Sequence, residues 1–234
     1  MGHMNNSSGL VLLVSIMLLS ACAGKTEISA IGNNDGFVDV KAFIPSVQLE
    51  IRYYTTDNFV GSRIDGYDAP KCILTREAAV ALKNVQEELA QNGKSLKIFD
   101  CYRPQRAVDH FVRWATDSRD QKMKSQYYPS IDKENLFRDG YIAAKSGHSR
   151  GSTLDLTIIG LESNQEWDMG TDFDFLDPLS HTVNSRIRKS QQDNRIALKS
   201  VMERNGFKNL EEEWWHFTLK NEPYPDKYFD FKVE

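Results

Sequence analysis

The chain has 234 residues, 40% of them hydrophobic and 26% charged, with a formal net charge of −4. Such a balance belongs to a globular protein of one large or two small domains, and with no long run of either sign it argues against nucleic acid as the main partner. No repeat or low-complexity tract points to a solenoid or an array.

The first element in chain order is an apolar run, "LVLLVSIMLL" (10–19), too short to span a bilayer and matched to a signal-peptide core. It leads into "LSAC" (19–22), which resembles the lipobox of bacterial lipoproteins and implies cleavage before Cys22 with lipid on its sulfur. A plain secretory signal with an incidental cysteine is the alternative. Residues 1–3 read as a cloning remnant ahead of a native Met4. The expected organisation is a signal peptide over 1–22, a polar tether over 23–35 and one folded domain over 36–234, exported to the envelope or periplasm and anchored to a membrane through Cys22. Export would put Cys72 and Cys101 in an oxidising compartment, which favours pairing them; two buried free thiols are the alternative.

Residues 37–61 are rich in β-branched and aromatic side chains, are broken by Pro45, and predict extended structure. Residues 74–93 predict a helix capped by Thr75, with Ala78, Leu82, Val85 and Leu89 on one face and Gly93 as its stop. A short strand (95–101) follows, then a turn at "YRP" and a second helix with Pro104 in its first turn and Val108, Phe111, Val112 and Ala115 inward. A short helix over 132–137 precedes a strand over 153–160 with alternating polar and apolar positions. Residues 161–184 carry no period and predict a long loop. The stretch 186–207 predicts a third long helix ending at Gly206, "WWHFTL" predicts a strand, and a Pro- and aromatic-rich tail closes the chain. Strands and helices mix without regular βαβ alternation, so the expected class is α+β: a mainly antiparallel sheet flanked by helices.

"SGHSRGSTLD" (146–155) sets His148 seven residues before Asp155 with Gly151 between them. An imidazole and a carboxylate suit a divalent metal such as zinc, although a hydrogen-bonded pair on a loop is the simpler account of that spacing alone. "EEEWWHF" (211–217) adds His216 as a third ligand, a composition that leaves room for a catalytic water. Glu213 then becomes the candidate general base, and Trp214 and Trp215 either wall the site against solvent or pack the core. Arg103, in "DCYRP" (100–104), could hold a developing oxyanion or simply pair with Asp100 at the surface. His3, His110 and His181 receive no role.

These motifs resemble the zinc D-alanyl-D-alanine dipeptidases of the vancomycin-resistance type, within a wider group of zinc peptidases that includes peptidoglycan D,D-carboxypeptidases. The wider pattern, Ser-x-His-x-x-Gly-x-Ala-x-Asp, is met by Ser146, His148, Gly151 and Asp155, with Thr153 where Ala is usual. The dipeptidase resemblance covers nearly all of residues 48–234, through "TTDNFVG", "DGY", "YRPQRAV", "YYPSID", "MGTDFDF", "EWWHF" and "NEPYPDKYFDF". It implies one Zn2+ per chain on His148, Asp155 and His216, Glu213 as base, and Arg103 as stabiliser of the transition state. It also implies that Asp174 and Tyr53 hold the substrate ammonium, that Ser146 meets the substrate carboxylate and that Phe111 narrows the pocket. The activity so implied is hydrolysis of D-alanyl-D-alanine to two D-alanines, here in the cell envelope; the alternative is a D,D-carboxypeptidase acting on stem peptides. A non-catalytic binding module of the same fold would have no need of Glu213. The export signal and the two domain cysteines depart from the resistance enzyme.

Overall fold

The structure, a computed structural model, describes residues 1–2 and 35–234. The signal segment, Cys22 and all of the tether but Asp35 lie outside these. The elements are β1 (Phe37–Asp39), α1 (Val40–Phe43), β2 (Gln48–Leu49), β3 (Ile73–Thr75), α2 (Arg76–Ala90), β4 (Lys94–Asp100), α3 (Gln105–Thr116), α4 (Lys124–Tyr127), β5 (Thr153–Gly160), α5 (Lys189–Arg204), β6 (Phe207–Leu210) and β7 (Glu213–Leu219).

Five strands form the main sheet in the order β2–β4–β5–β7–β6, and β1 pairs with β3 apart from it. Only β2 against β4 is parallel; the other neighbours are antiparallel. Helix α2 packs on β4 and touches α5, which lies against β6 and β7. The class is therefore the expected α+β. Strand β5 is central, and its polar positions Thr153, Asp155 and Thr157 are buried with the rest, so the alternation in its sequence does not mark a solvent face.

The two long helices follow their predicted signals. The Thr75 hydroxyl accepts the Ala78 N–H at 3.4 Å, and Ala78, Leu82, Val85 and Leu89 are all buried. In α3 the inward face is Val108, Phe111 and Ala115 as expected, joined by Trp114, while Val112 is only half-buried. Helix α5 stops at Arg204, and Gly206 at φ +93° turns the chain so that Phe207 opens β6 opposite Leu219. The chain thus reverses at the predicted stop, Gly206, while the helix proper occupies only Lys189–Arg204 of the predicted 186–207.

The predicted extended run over 37–61 is mostly irregular. Asp39 caps the short helix α1, accepting the Lys41 N–H at 2.9 Å, and Arg52–Tyr54 form a 3-10 turn. Residues 132–137 hold only a 3-10 turn at Lys133–Asn135. The long loop over 161–184 is as expected without helix or strand apart from a 3-10 turn, and Arg195 of α5 pins it. That fully buried guanidinium donates to the carbonyls of Met169 at 2.6 Å, Leu179 at 2.8 Å and His181 at 2.6 Å. A loop whose carbonyls are satisfied in this way can hold a side chain in a fixed place.

Cys72 and Cys101 form a disulfide with their Cα atoms 5.2 Å apart and a sequence separation of 29. On the chain-entropy account, closing such a loop stabilises the fold by about 3–4 kcal/mol.

Candidate active site

Three side chains meet at one end of the central strands. Asp155 of β5 lies in register with His216 of β7, so both project from the same face of the sheet. His148 comes from a 3-10 turn, Gly147–Arg150, that leads into β5; the Ser146 hydroxyl accepts the His148 N–H at 3.3 Å. The turn closes at Gly151 with φ +82°, and a side chain there would run into the Phe37 ring. Glycine is therefore required between the two candidate ligands.

His216 Nδ1 lies 3.1 Å from Asp155 Oδ1, His148 Nε2 lies 3.4 Å from Asp155 Oδ2, and the two imidazole nitrogens are 3.2 Å apart. One ligand atom from each residue falls within 4.8 Å of the others. The far nitrogen of His148, Nδ1, is 2.7 Å from the Cys101 carbonyl. Donating its proton there leaves the Nε2 lone pair aimed at the group. Asp155 is 1% exposed, and its Oδ1 makes no aligned hydrogen bond. A buried carboxylate oxygen without a donor, beside an imidazole lone pair, is costly unless a cation sits between them, and this donor set fits a divalent metal.

The electrostatics agree. Burial opposes ionisation of Asp155, but His148 and His216 outweigh it and hold the carboxyl below the usual carboxylate range. Burial lowers the pKa of His148, favouring the neutral form that ligates metals. Burial also opposes the charge on His216, yet Asp155 more than restores it, so the pocket draws positive charge.

Around this group stand the other predicted residues. Arg103 donates from Nε to Asp100 Oδ2 at 2.9 Å and reaches within 3.6 Å of Asp155 Oδ2 through Nη2. Its guanidinium carbon lies 4.9 Å from the centre of the Tyr53 ring and 5.1 Å from that of Phe111. Glu213 Oε2 is 3.4 Å from His216 Nδ1, and burial pushes its carboxyl up, countered in part by His216. Tyr53 donates its hydroxyl to Asp174 Oδ2 at 2.9 Å. Asp174 sits at φ +61°, a left-handed conformation that only over-determined surroundings maintain in a residue with a side chain. Tyr53, Arg103, Phe111, Ser146, His148, Asp155, Asp174, Glu213 and His216 all line one cavity of about 210 Å³. That volume is below the roughly 300–1,000 Å³ of ordinary ligand pockets.

Of the two readings of Trp214 and Trp215 the structure takes core packing: both are buried core residues and neither lines this cavity. Trp214 donates to Thr171 Oγ1 at 2.9 Å and Trp215 packs edge-on against Phe173, so together they buttress the loop that carries Asp174. Glu213 and His216 line the same cavity although three strand residues apart, because the β6–β7 register shifts between Asn209 and Leu210. The Asn209 side-chain amide holds the irregular stretch by donating to the carbonyls of Glu213 at 3.1 Å and His216 at 3.0 Å.

Arg103 does pair with Asp100, but in the interior: Asp100 is fully buried, accepts Tyr67 O–H at 2.6 Å, and lies 3.4 Å from His148 Nδ1. The sequence alone gives Asp100 and Tyr67 no place in the site. The signal available was an Asp at the end of an apolar strand, three residues before an Arg.

A small cavity with two histidines, an aspartate, a nearby glutamate and a buried arginine is the arrangement of a metallohydrolase. Comparison with known proteins agrees and narrows the class. Residues 33–234 match the profile of the D-ala-D-ala dipeptidase family. The chain is 42% identical over 199 residues to the D-alanyl-D-alanine dipeptidase of Enterococcus faecalis, covering 85% of this chain and 98% of that protein. It is 41% identical over 197 residues to that of Streptomyces coelicolor, with 84% and 98% covered, and 32% identical over 182 residues to that of Escherichia coli, with 78% and 83% covered. The chain belongs to the D-ala-D-ala dipeptidase family and is a metallopeptidase.

Proposed function

We propose that this enzyme hydrolyses D-alanyl-D-alanine to two D-alanines, using one zinc ion held by His148, Asp155 and His216. The observation that carries the reading is the cavity itself: the cation-seeking group is in its wall, a buried Asp174–Tyr53 pair is in the same wall, and its volume suits a dipeptide. The dipeptidase names of relatives matched over most of the chain support the substrate.

When bound, the zinc ion supplies Lewis-acid polarisation of the scissile carbonyl and lowers the pKa of a water. Glu213 takes the proton of the attacking water and returns it to the leaving amine nitrogen; burial, by raising its pKa, makes it a better base. Arg103, held by Asp100, directs its guanidinium to the oxygen on which charge develops. Asp174 and the Tyr53 oxygen accept from the substrate ammonium. Burial pushes the Asp174 carboxyl well up, so a cationic partner is what this carboxylate lacks. Ser146 meets the terminal carboxylate, and Phe111 limits the width of the pocket.

A site built around a free ammonium rejects a substrate that buries an amide there instead. We expect kcat/KM for D-alanyl-D-alanine to exceed that for its N-acetyl derivative by at least about 1,000-fold. Equal turnover of the acylated dipeptide, or of a stem pentapeptide, would transfer the chain to D,D-carboxypeptidase activity.

For the setting, the apolar run over 10–19, the "LSAC" motif and the Cys72–Cys101 disulfide support an exported lipoprotein of the cell envelope. Cys22→Ala should move the protein from the membrane to the soluble fraction of its host. An unchanged distribution would end the anchor reading.

A further inference from the structure

The Cys72–Cys101 disulfide lies directly behind the proposed metal group. Cys101 follows the end of β4, where the ladder with β5 is interrupted between Ile98 and Asp100, and residues 101–104 belong to no regular element. Even so, the Cys101 carbonyl is the acceptor for His148 Nδ1 at 2.7 Å and sets the tautomer and aim of that ring. The same strap meets the turn again where Arg103 N–H donates to the His148 carbonyl at 3.3 Å.

Two ties hold the strap against the segment that enters β3. One is Tyr102 N–H to the Ile73 carbonyl at 2.9 Å; the other is the disulfide. Strand β3 then grips the far end of the histidine turn, with Thr75 N–H donating to the Gly151 carbonyl at 2.8 Å and Thr75 Oγ1 2.7 Å from Ser152 Oγ. A closed ring of contacts thus runs from Cys72 through Cys101 and His148 to Gly151 and Thr75. The bridge is its only covalent link across chain segments, and both sulfurs belong to residues no more than 2% exposed.

We infer that the Cys72–Cys101 disulfide is a positioning element for His148: by fixing the Cys101 carbonyl it sets how tightly the site holds its metal. The inference rests on His148 being a metal ligand, as proposed above. A purely structural bridge would change the melting temperature and leave metal release alone. A positioning bridge changes release from protein that is still folded.

The test compares zinc-loaded wild type with the Cys72→Ala/Cys101→Ala double variant, following zinc transfer to a chromophoric chelator at 25 °C while far-UV circular dichroism reports folding. Leu82→Ala, a cavity variant in α2 whose side chain makes none of the hydrogen bonds of the ring, serves as a control for lost stability. We expect the double variant to release zinc faster than wild type by up to about 100-fold, the upper limit being outright loss of a ligand's outer partner, since the residue-101 carbonyl remains but is no longer fixed. Leu82→Ala should release it at the wild-type rate. Unchanged release from the double variant, or equal acceleration in Leu82→Ala, would overturn the inference while leaving the ligand assignment standing. A wild type that holds no zinc would overturn the ligand assignment, and the inference with it. Should the double variant not fold, wild type is treated with tris(2-carboxyethyl)phosphine, which becomes the phosphine oxide as the bridge becomes two thiols. Zinc leaving in step with thiol appearance, with the dichroism intact, is expected; zinc leaving only as the dichroism collapses would overturn the inference.

Discussion

Glu213→Ala should lower kcat on D-alanyl-D-alanine by about 100- to 10,000-fold, the range for loss of a general base, while metal content stays at the wild-type level. The geometry separates the two effects. Glu213 stands 3.4 Å from His216 Nδ1 at the cavity wall, and it is not one of the three residues whose ligand atoms converge. Its backbone is held independently, through Asn209, so truncating the side chain leaves β7 in place. Glu213→Gln should be nearly as slow, because the amide keeps the shape but cannot take a proton. D-Alanine release and metal analysis on the same preparations measure both quantities. A drop in kcat matched by a drop in metal content would make Glu213 a ligand or a structural residue, not the base.

The second large effect is expected at Asp155. Asp155→Ala should weaken zinc binding by at least about 100-fold and take D-alanine release below detection. Asp155 lies between Asp100 on β4 and His216 on β7 in the strand register, and its two oxygens face His216, His148 and Arg103. Removing it takes away a charged donor and leaves two imidazole nitrogens 3.2 Å apart with a buried guanidinium nearby. Asp155→Asn tests the charge alone, and it should also lose metal, because an amide oxygen is a poorer partner for a divalent cation between two neutral imidazoles. Equilibrium dialysis against zinc gives the affinity. Wild-type affinity in Asp155→Ala would remove it from the metal set.

Much of this was legible in the sequence, for reasons that can be located. Helix α2 announces itself because Thr75, the apolar face and Gly93 all agree on one element. Residue type and spacing single out His148, Asp155, His216, Glu213 and Arg103, the family resemblance adds Tyr53, Phe111, Ser146 and Asp174, and all nine line the cavity. What spacing could not supply was the strand pairing. That Asp155 faces His216, and Asp100 faces Asp155, depends on which strands become neighbours. For the same reason the burial of Asp100 was invisible and its contact with Arg103 resembled a surface pair. Whether Trp214 and Trp215 wall the site or pack the core is open in the sequence, because period-two alternation does not survive the irregularity at the start of β7. The stretch 37–61 departs from the extended run its composition predicts because its β-branched and aromatic residues serve packing, not a ladder: Val38, Val40, Ile44, Val47, Ile51 and Tyr53 are buried while regular strand is brief.

The most direct measurement is D-alanine release from D-alanyl-D-alanine by the purified protein before chelation, after chelation, and after return of one equivalent of Zn2+. The structure and the family membership together predict turnover that disappears with the metal and returns at one zinc per chain. Turnover that persists in the fully chelated protein, or a zinc-loaded protein inert toward the dipeptide, would contradict the assignment.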